Sequence, residues 1–156
     1  MSKIDAHLLE LGLSLPQAAA PAANYVPYVQ TGNLVVVSGQ ITMIDGELMY
    51  LGRVGEDFTT EEGYEAAKLC GLNLIAQLKE ACGGDLDRVK RVVRLGGFVN
   101  CTPTFTDHPK VINGASDLMA AVFGDAGKHA RAAVGVLSLP LGVAVEVDGL
   151  FEIDES

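Results

Sequence analysis

The sequence predicts an α+β two-layer fold: one mixed, largely apolar sheet with two helices on one of its faces. Three observations predict it. Strand-like and helix-like segments follow one another as strands, long helix, strand, helix, strand, strand. The helical segment ending near Cys82 keeps a single apolar stripe, Ala67, Cys70, Leu74, Ile75 and Leu78, so it covers a surface on one side only. The segments 131–138 and 143–153 are apolar on both faces. Val143, Val145 and Val147 lie on one, and Ala144 and Leu150 lie beside Glu146 and Asp148 on the other. Two helices form one layer, so one sheet face is left uncovered, and self-association is the economical way to hide it.

The elements follow in chain order. Residues 3–12, KIDAHLLELG, have helical spacing and end at a glycine. SLPQAAAPAANYVP is rich in Pro and Ala and predicts an ordered but irregular arm. Residues 1–24 therefore read as a helix plus arm, and 25–156 as the body of one structural domain. YVQTGNLVVVSGQIT holds two short strands around the turn Thr31-Gly32-Asn33, and GELMYLGRVG predicts a further strand bounded by glycines. Thr59-Thr60-Glu61-Glu62 is a capping box with Thr59 and Glu62 in the reciprocal positions. The helix it opens stops at Gly83-Gly84. In VKRVVRLGGFVNC, strict alternation puts Val89, Arg91, Val93 and Leu95 on one face and Lys90, Val92 and Arg94 on the other. Asp107 is the expected cap of the second helix, with Pro109 in its first turn and Gly124 near its end.

A chain of 156 residues with net charge −9 is long enough to bury a real core and too acidic to favour a phosphate backbone or an anionic membrane surface. The start lacks the basic-then-apolar pattern of a secretory signal, and the apolar run 132–145 is broken by Ser138 and Pro140 and falls short of a membrane span. Cys70 and Cys82 sit on one helical segment about 18 Å apart, beyond disulfide reach. Reduced thiols and a cytoplasmic location are the expectation. Cys101 has no obvious partner in the sequence and reads as a buried structural thiol, with a catalytic cysteine as the weaker alternative. No Cys/His spacing suggests a metal site, and neither a phosphate loop nor a dinucleotide fingerprint is present.

The segment HARAAVGVLSLPLGVAVEV is the most apolar of the chain, yet it carries Arg131 and Glu146. A lone charge in such a setting is costly unless it meets a partner or a ligand. Arg131 is served either by an ion pair with Glu146 or Asp148, or by a bound carboxylate, which its planar fork matches. A plain hairpin about Pro140–Gly142 would set Arg131 near Phe151 and Glu146 near Val136, too far apart to touch. Glu146 is either a strand carboxylate in water or a group that holds and deprotonates a water. Ser38-Gly39-Gln40 is a turn or a place of close backbone approach. Tyr28 fits packing in a short strand, and Asn113, a poor helix former inside a helix, fits a buried polar contact. His129 completes no Ser/His/Asp set.

These residues carry a resemblance. Arg131-x-x-Val134-x-Val136-x-x-Leu139-Pro140, followed by Val145-Glu146-Val147, is similar to the signature of the reactive intermediate deaminase family, also called RidA or YjgF/L-PSP. Pro27-Tyr28-Val29-Gln30, Gly32-Asn33, Ser38-Gly39-Gln40 and Val111-Ile112-Asn113 fall in that family's order, and residues 1–24 resemble its longer branch. The resemblance implies a chorismate-mutase-like fold assembled as a homotrimeric barrel with clefts between subunits, and a last strand inserted beside earlier ones. It implies cofactor-free hydrolysis of small imines and enamines of the 2-aminoacrylate type to a 2-oxo acid and ammonia. Arg131 would bind the carboxylate and Glu146 would position water. Tyr28, of the same or the neighbouring subunit, would close the cleft, and Ser38, Gly39, Asn113 and Ala133 would shape the pocket. Ala133 stands where many members carry Cys. The implied partner is a small carboxylate-bearing metabolite. The alternatives are a non-catalytic trimer that binds or senses such a metabolite and, against the charge, an endoribonuclease.

Overall fold

The computed structural model describes residues 1–20 and 23–155. Pro21 and Ala22 of the expected arm, and Ser156, lie outside the described residues. In chain order the elements are α1 (Lys3–Glu10), β1 (Tyr28–Thr31), β2 (Leu34–Ile41), β3 (Met43–Ile44), β4 (Glu47–Leu48), α2 (Thr60–Ala81), β5 (Val89–Asn100), α3 (His108–Phe123), β6 (Ala130–Val136) and β7 (Val145–Ile153). Five strands form a mixed sheet in the order β1-β2-β7-β5-β6, and β5 and β6 are its parallel pair. β7 lies between β2 and β5, antiparallel to both, so the last two strands are not hairpin neighbours. Arg131 thus pairs with Leu95, and Glu146 pairs with Phe98 and Ile41.

Local sequence explains the helices. Thr59 and Glu62 close the capping box of α2, each side chain accepting the other's backbone N–H at 3.1 and 3.0 Å. The stripe Ala67, Cys70, Leu74, Ile75 and Leu78 is fully buried against Val35, Val37, Val145, Val147 and Phe151 of the sheet. α3 lies beside α2 on the same face, so these two helices make the expected single layer. They come close at Gly114, where a Cβ would collide with the main-chain carbonyl of Tyr64. α1 packs against α3, where His7 Nε2 lies 2.8 Å from the carbonyl of Ala121, and Lys79 of α2 meets Asp5 at 2.9 Å. The arm is tied down by Gln77, which donates to the carbonyl of Ala19 at 2.6 Å.

Three local expectations are corrected. GELMYLGRVG does not form one strand. Glu47–Leu48 pairs briefly with Met43–Ile44, and Tyr50 then turns into the left-handed region at φ 51°. Register shifts in β5, between Val89 and Arg91 and between Val92 and Arg94, break its alternation. Val92 and Leu95 therefore both enter the core, which a regular strand would forbid. Asp107 occupies the N-cap position of α3, yet its side chain makes no capping hydrogen bond, because its backbone (φ −92°, ψ 33°) lacks the extended conformation of a cap.

The opposite face of the sheet carries no helix among the described residues. Leu34, Val36 and Val134 stand on it 38, 47 and 45 % exposed, beside the half-buried Phe98 and Leu150. The same face carries Glu146, Asp148 and Arg94, with Arg94 4.0 Å from Asp148.

Candidate functional site

Arg131 lies on edge strand β6 and points to the helix side, in register with core residue Leu95. Its guanidinium makes no ion pair among the described residues. It is held instead by neutral acceptors on α3. Nη1 donates to Asn113 Oδ1 at 2.8 Å and to Ser116 Oγ at 3.1 Å, and Nη2 approaches the carbonyl of Pro109 at 3.4 Å. Ser116 is itself fixed by His129, whose Nε2 lies 2.9 Å from Oγ while Nδ1 lies 2.6 Å from the carbonyl of Gly127. A carbonyl only accepts, so Nδ1 carries the hydrogen and Ser116 donates to Nε2. The result is a rigid fork whose charge is not cancelled by the protein. Ala133, two residues along the same strand face, packs against the core.

Glu146 sits on the open face of β7. Burial, with the Asp148 charge second, pushes its carboxyl above the ordinary range. The register shift between Val37 and Gln40 brings Gly39 against it: a Cβ there would come 2.5 Å from Glu146 Oε2. Ser38 anchors the same bulge, its hydroxyl donating to the carbonyl of Val26 at 2.8 Å. Glu146 borders a cavity of about 430 Å³ together with Tyr25, Gly39, Gln40, Asn73 and Leu141. Asn73 braces one wall by donating to the carbonyls of Ile41 and Met43 at 3.0 and 2.8 Å.

The raised carboxyl has a testable consequence for stability. Above its ordinary value the unfolded chain has already lost the proton, whereas the folded chain holds it to a higher pH. The stabilisation from the protonated form is therefore full below the ordinary value and is lost as pH rises through the folded one. Glu146→Gln removes that dependence. Its melting temperature relative to the parent chain is expected to rise between about pH 4 and pH 7. A difference that stays flat or falls across that range would refute the burial argument.

The structure brings some expected residues together and separates others. Gly39 and Ser38 stand with Glu146, and Asn113 and Ala133 stand with Arg131. Arg131 and Glu146 face opposite sides of the sheet, because their partners Leu95 and Phe98 are three residues apart in an unshifted stretch of β5. Within one copy of the chain the two charges do not share a pocket. Tyr28 pairs with core residue Val37, packs on the helix side and borders a groove with Gln17, Gln77 and Glu80. Tyr25, not Tyr28, lines the Glu146 cavity. Ser116, His129, Tyr25, Asn73 and Leu141 carry no motif. The one local signal was the polar pair Asn113 and Ser116, three apart on α3 and so on one helical face.

Comparison with known proteins adds to this geometry. The family model described as "YjgF/chorismate_mutase-like, putative endoribonuclease" matches residues 5–152. Protein TCP17 of Trypanosoma cruzi is 51% identical over 153 residues, covering 97% of this chain and 95% of that protein. The crystal structure of Atu1372, a protein of unknown function from Agrobacterium tumefaciens, is similar with TM-score 0.91 and 48% identity, covering 97% of this chain and 92% of that one. RidA from the Antarctic bacterium Psychrobacter sp. PAMC 21119 is similar with TM-score 0.61 and 29% identity, covering 88% of this chain and 94% of that one.

Proposed function

From the premise that the chain belongs to the YjgF/chorismate-mutase-like family, we propose that it is a hydrolase that deaminates small imines and enamines of 2-oxo acids, of the 2-aminoacrylate type, to the oxo acid and ammonia. The observation that carries this reading is the Arg131 fork, held by Asn113, Ser116 and Pro109 with no carboxylate against it among the described residues. A guanidinium fixed in this way is set to receive a carboxylate in a bidentate pair. The imine carbon is already electrophilic, so the reaction asks for position, a base and charge, and no cofactor. Glu146 takes a proton from water as the oxygen adds to the carbon, and the C=N electron pair moves to nitrogen. Glu146 returns that proton to the nitrogen. The carbinol hydroxyl then gives its own proton, by way of Glu146, to the same nitrogen. The C–N bond breaks with its electron pair on nitrogen, so ammonia leaves as the carbonyl forms. An enamine first becomes the imine by taking a proton at its terminal carbon and losing one from nitrogen. A carboxyl raised by burial is suited to these transfers.

Arg131 and Glu146 lie on opposite faces, so a site that uses both is completed by a second copy. The exposed Leu34, Val36 and Val134 supply apolar surface for that contact. The assembly proposed is a homotrimer with the uncovered sheet faces turned into a central barrel and a cleft at each subunit boundary. Three free cysteines suit a reducing, cytoplasmic setting. No helix among the described residues is long and apolar enough to cross a membrane.

The separation of the two charges also favours a second reading, a protein that binds a small carboxylate through Arg131 without chemistry. Ammonia release from freshly generated 2-aminoacrylate distinguishes the two. The parent chain is expected to exceed the uncatalysed rate, and Glu146→Gln to lose about a hundredfold or more of that excess. No excess rate would remove this substrate. Carboxylate binding that persists without any excess rate would favour the second reading.

A further inference from the structure

A second cavity, about 360 Å³, opens where β5 ends and α3 begins, lined by Arg53, Cys101, Phe105, His108, Gly135 and Leu137 among others. None of its lining residues borders the Glu146 cavity, and Arg131 is not among them. Cys101 Sγ lies 3.4 Å from His108 Nε2, so the thiol that the sequence leaves without a partner has a base beside it. The imidazole is held edge-on to Phe105, with ring centroids 5.5 Å apart at 86°. Gly135 makes room for the pair, since a Cβ there would collide with His108 Nε2 and come 2.9 Å from Cys101 Sγ. Arg53 closes the group. Its Nη2 donates to the carbonyl of Leu137 at 3.2 Å, and it makes no ion pair among the described residues.

We propose that this cavity is a second ligand site, in which Arg53 binds the carboxylate of a small carbon electrophile and Cys101, with His108 as its base, forms a bond to that carbon. Each part has the residue its task requires. Burial holds the Cys101 thiol above its ordinary value, so it rests protonated, while the nearby Arg53 charge acts in the opposite direction. On attack the thiol proton passes to His108 Nε2 and a sulfur electron pair makes the C–S bond. With an activated double bond, the displaced π pair takes the proton back from His108 and nothing leaves. With an α-halo acid, the halide departs with its bonding pair and the proton goes to solvent.

The test compares two probes of equal size, iodoacetate and iodoacetamide, on the full chain, with the alkylated residue identified by mass spectrometry. An ordinary thiol prefers the neutral amide. Cys101 is expected to prefer iodoacetate by about tenfold, the scale of a local charge concentrating its counter-ion. Arg53→Gln is expected to abolish the preference, and propionate, but not propionamide, to protect Cys101 in the parent chain. The protection experiment stands even if the variant fails to fold. Equal reactivity toward both probes, no reaction at Cys101, or a preference that survives Arg53→Gln in a folded chain would each overturn the assignment.

Discussion

Arg131→Ala is expected to lower kcat/KM for a carboxylate-bearing imine by about a hundredfold or more while the chain keeps its fold. A hydrogen bond to a charged group contributes roughly 1.5–3 kcal/mol, and a bidentate pair makes two. A loss of about 3 kcal/mol is roughly a hundredfold in affinity for the transition state. The fold is spared because Arg131 is only partly buried and its partners Asn113, Ser116 and Pro109 are neutral. Removing the cation leaves no orphaned carboxylate behind. Arg131→Lys keeps the charge and loses the planar fork, so it is expected to recover only part of the activity. Kinetics and melting temperature measured together decide the matter. If Arg131→Ala unfolds the chain, the residue is a strut and the proposed substrate role fails.

Gly114→Ala is expected to destabilise the protein by about 3 kcal/mol, the upper range for overpacking. Alanine is the better helix former by about 1 kcal/mol, so propensity alone predicts the reverse sign. Sterics win because the added Cβ meets backbone. It would overlap the Tyr64 carbonyl and come 3.0 Å from Lys68 N, and neither can escape by changing rotamer. The whole seam between α2 and α3 is tight: a Cβ at Gly71 would come 2.8 Å from Leu118, and one at Gly63 would come 3.0 Å from Val111. The effect reaches the site, since Asn113 precedes Gly114 and carries the Arg131 contact. Urea unfolding should show a lower midpoint at unchanged slope. An unchanged midpoint would mean that the helices part at little cost.

Most of this fold was legible in the sequence because its signals are local. The capping box of α2, its apolar stripe, the double-sided strands and the odd charges at 131 and 146 each need only a few neighbouring residues to be read. What escaped is non-local or depends on register. Alternation in β5 predicts Val92 and Leu95 on opposite faces, and the register shifts put both in the core. Tyr28 pairs with Val37 and so packs on the helix side, a placement that depends on register and not on any local pattern. The Cys101–His108 pair spans seven residues across a strand end, a loop and a helix start, and no periodicity announces such a turn. Ser116, itself braced by His129, accepts from Arg131 and so joins a helix to the strand that follows it. These contacts become visible only once α3 is laid along β6.

The insertion of β7 between β2 and β5 bears on how the chain is made. β7 is the last of the five strands to be synthesised, yet it is the central one. Until it emerges from the ribosome, β2 and β5 lack their common neighbour, and Val35, Val37, Val92 and Leu95 lack the wall that Val145, Val147 and Phe151 supply. The growing chain can form α2 early, but it cannot close its core until β7 has emerged. A nascent or prematurely terminated chain therefore exposes two unpaired strand edges and an open apolar layer, which makes it a natural client for chaperones and proteolysis.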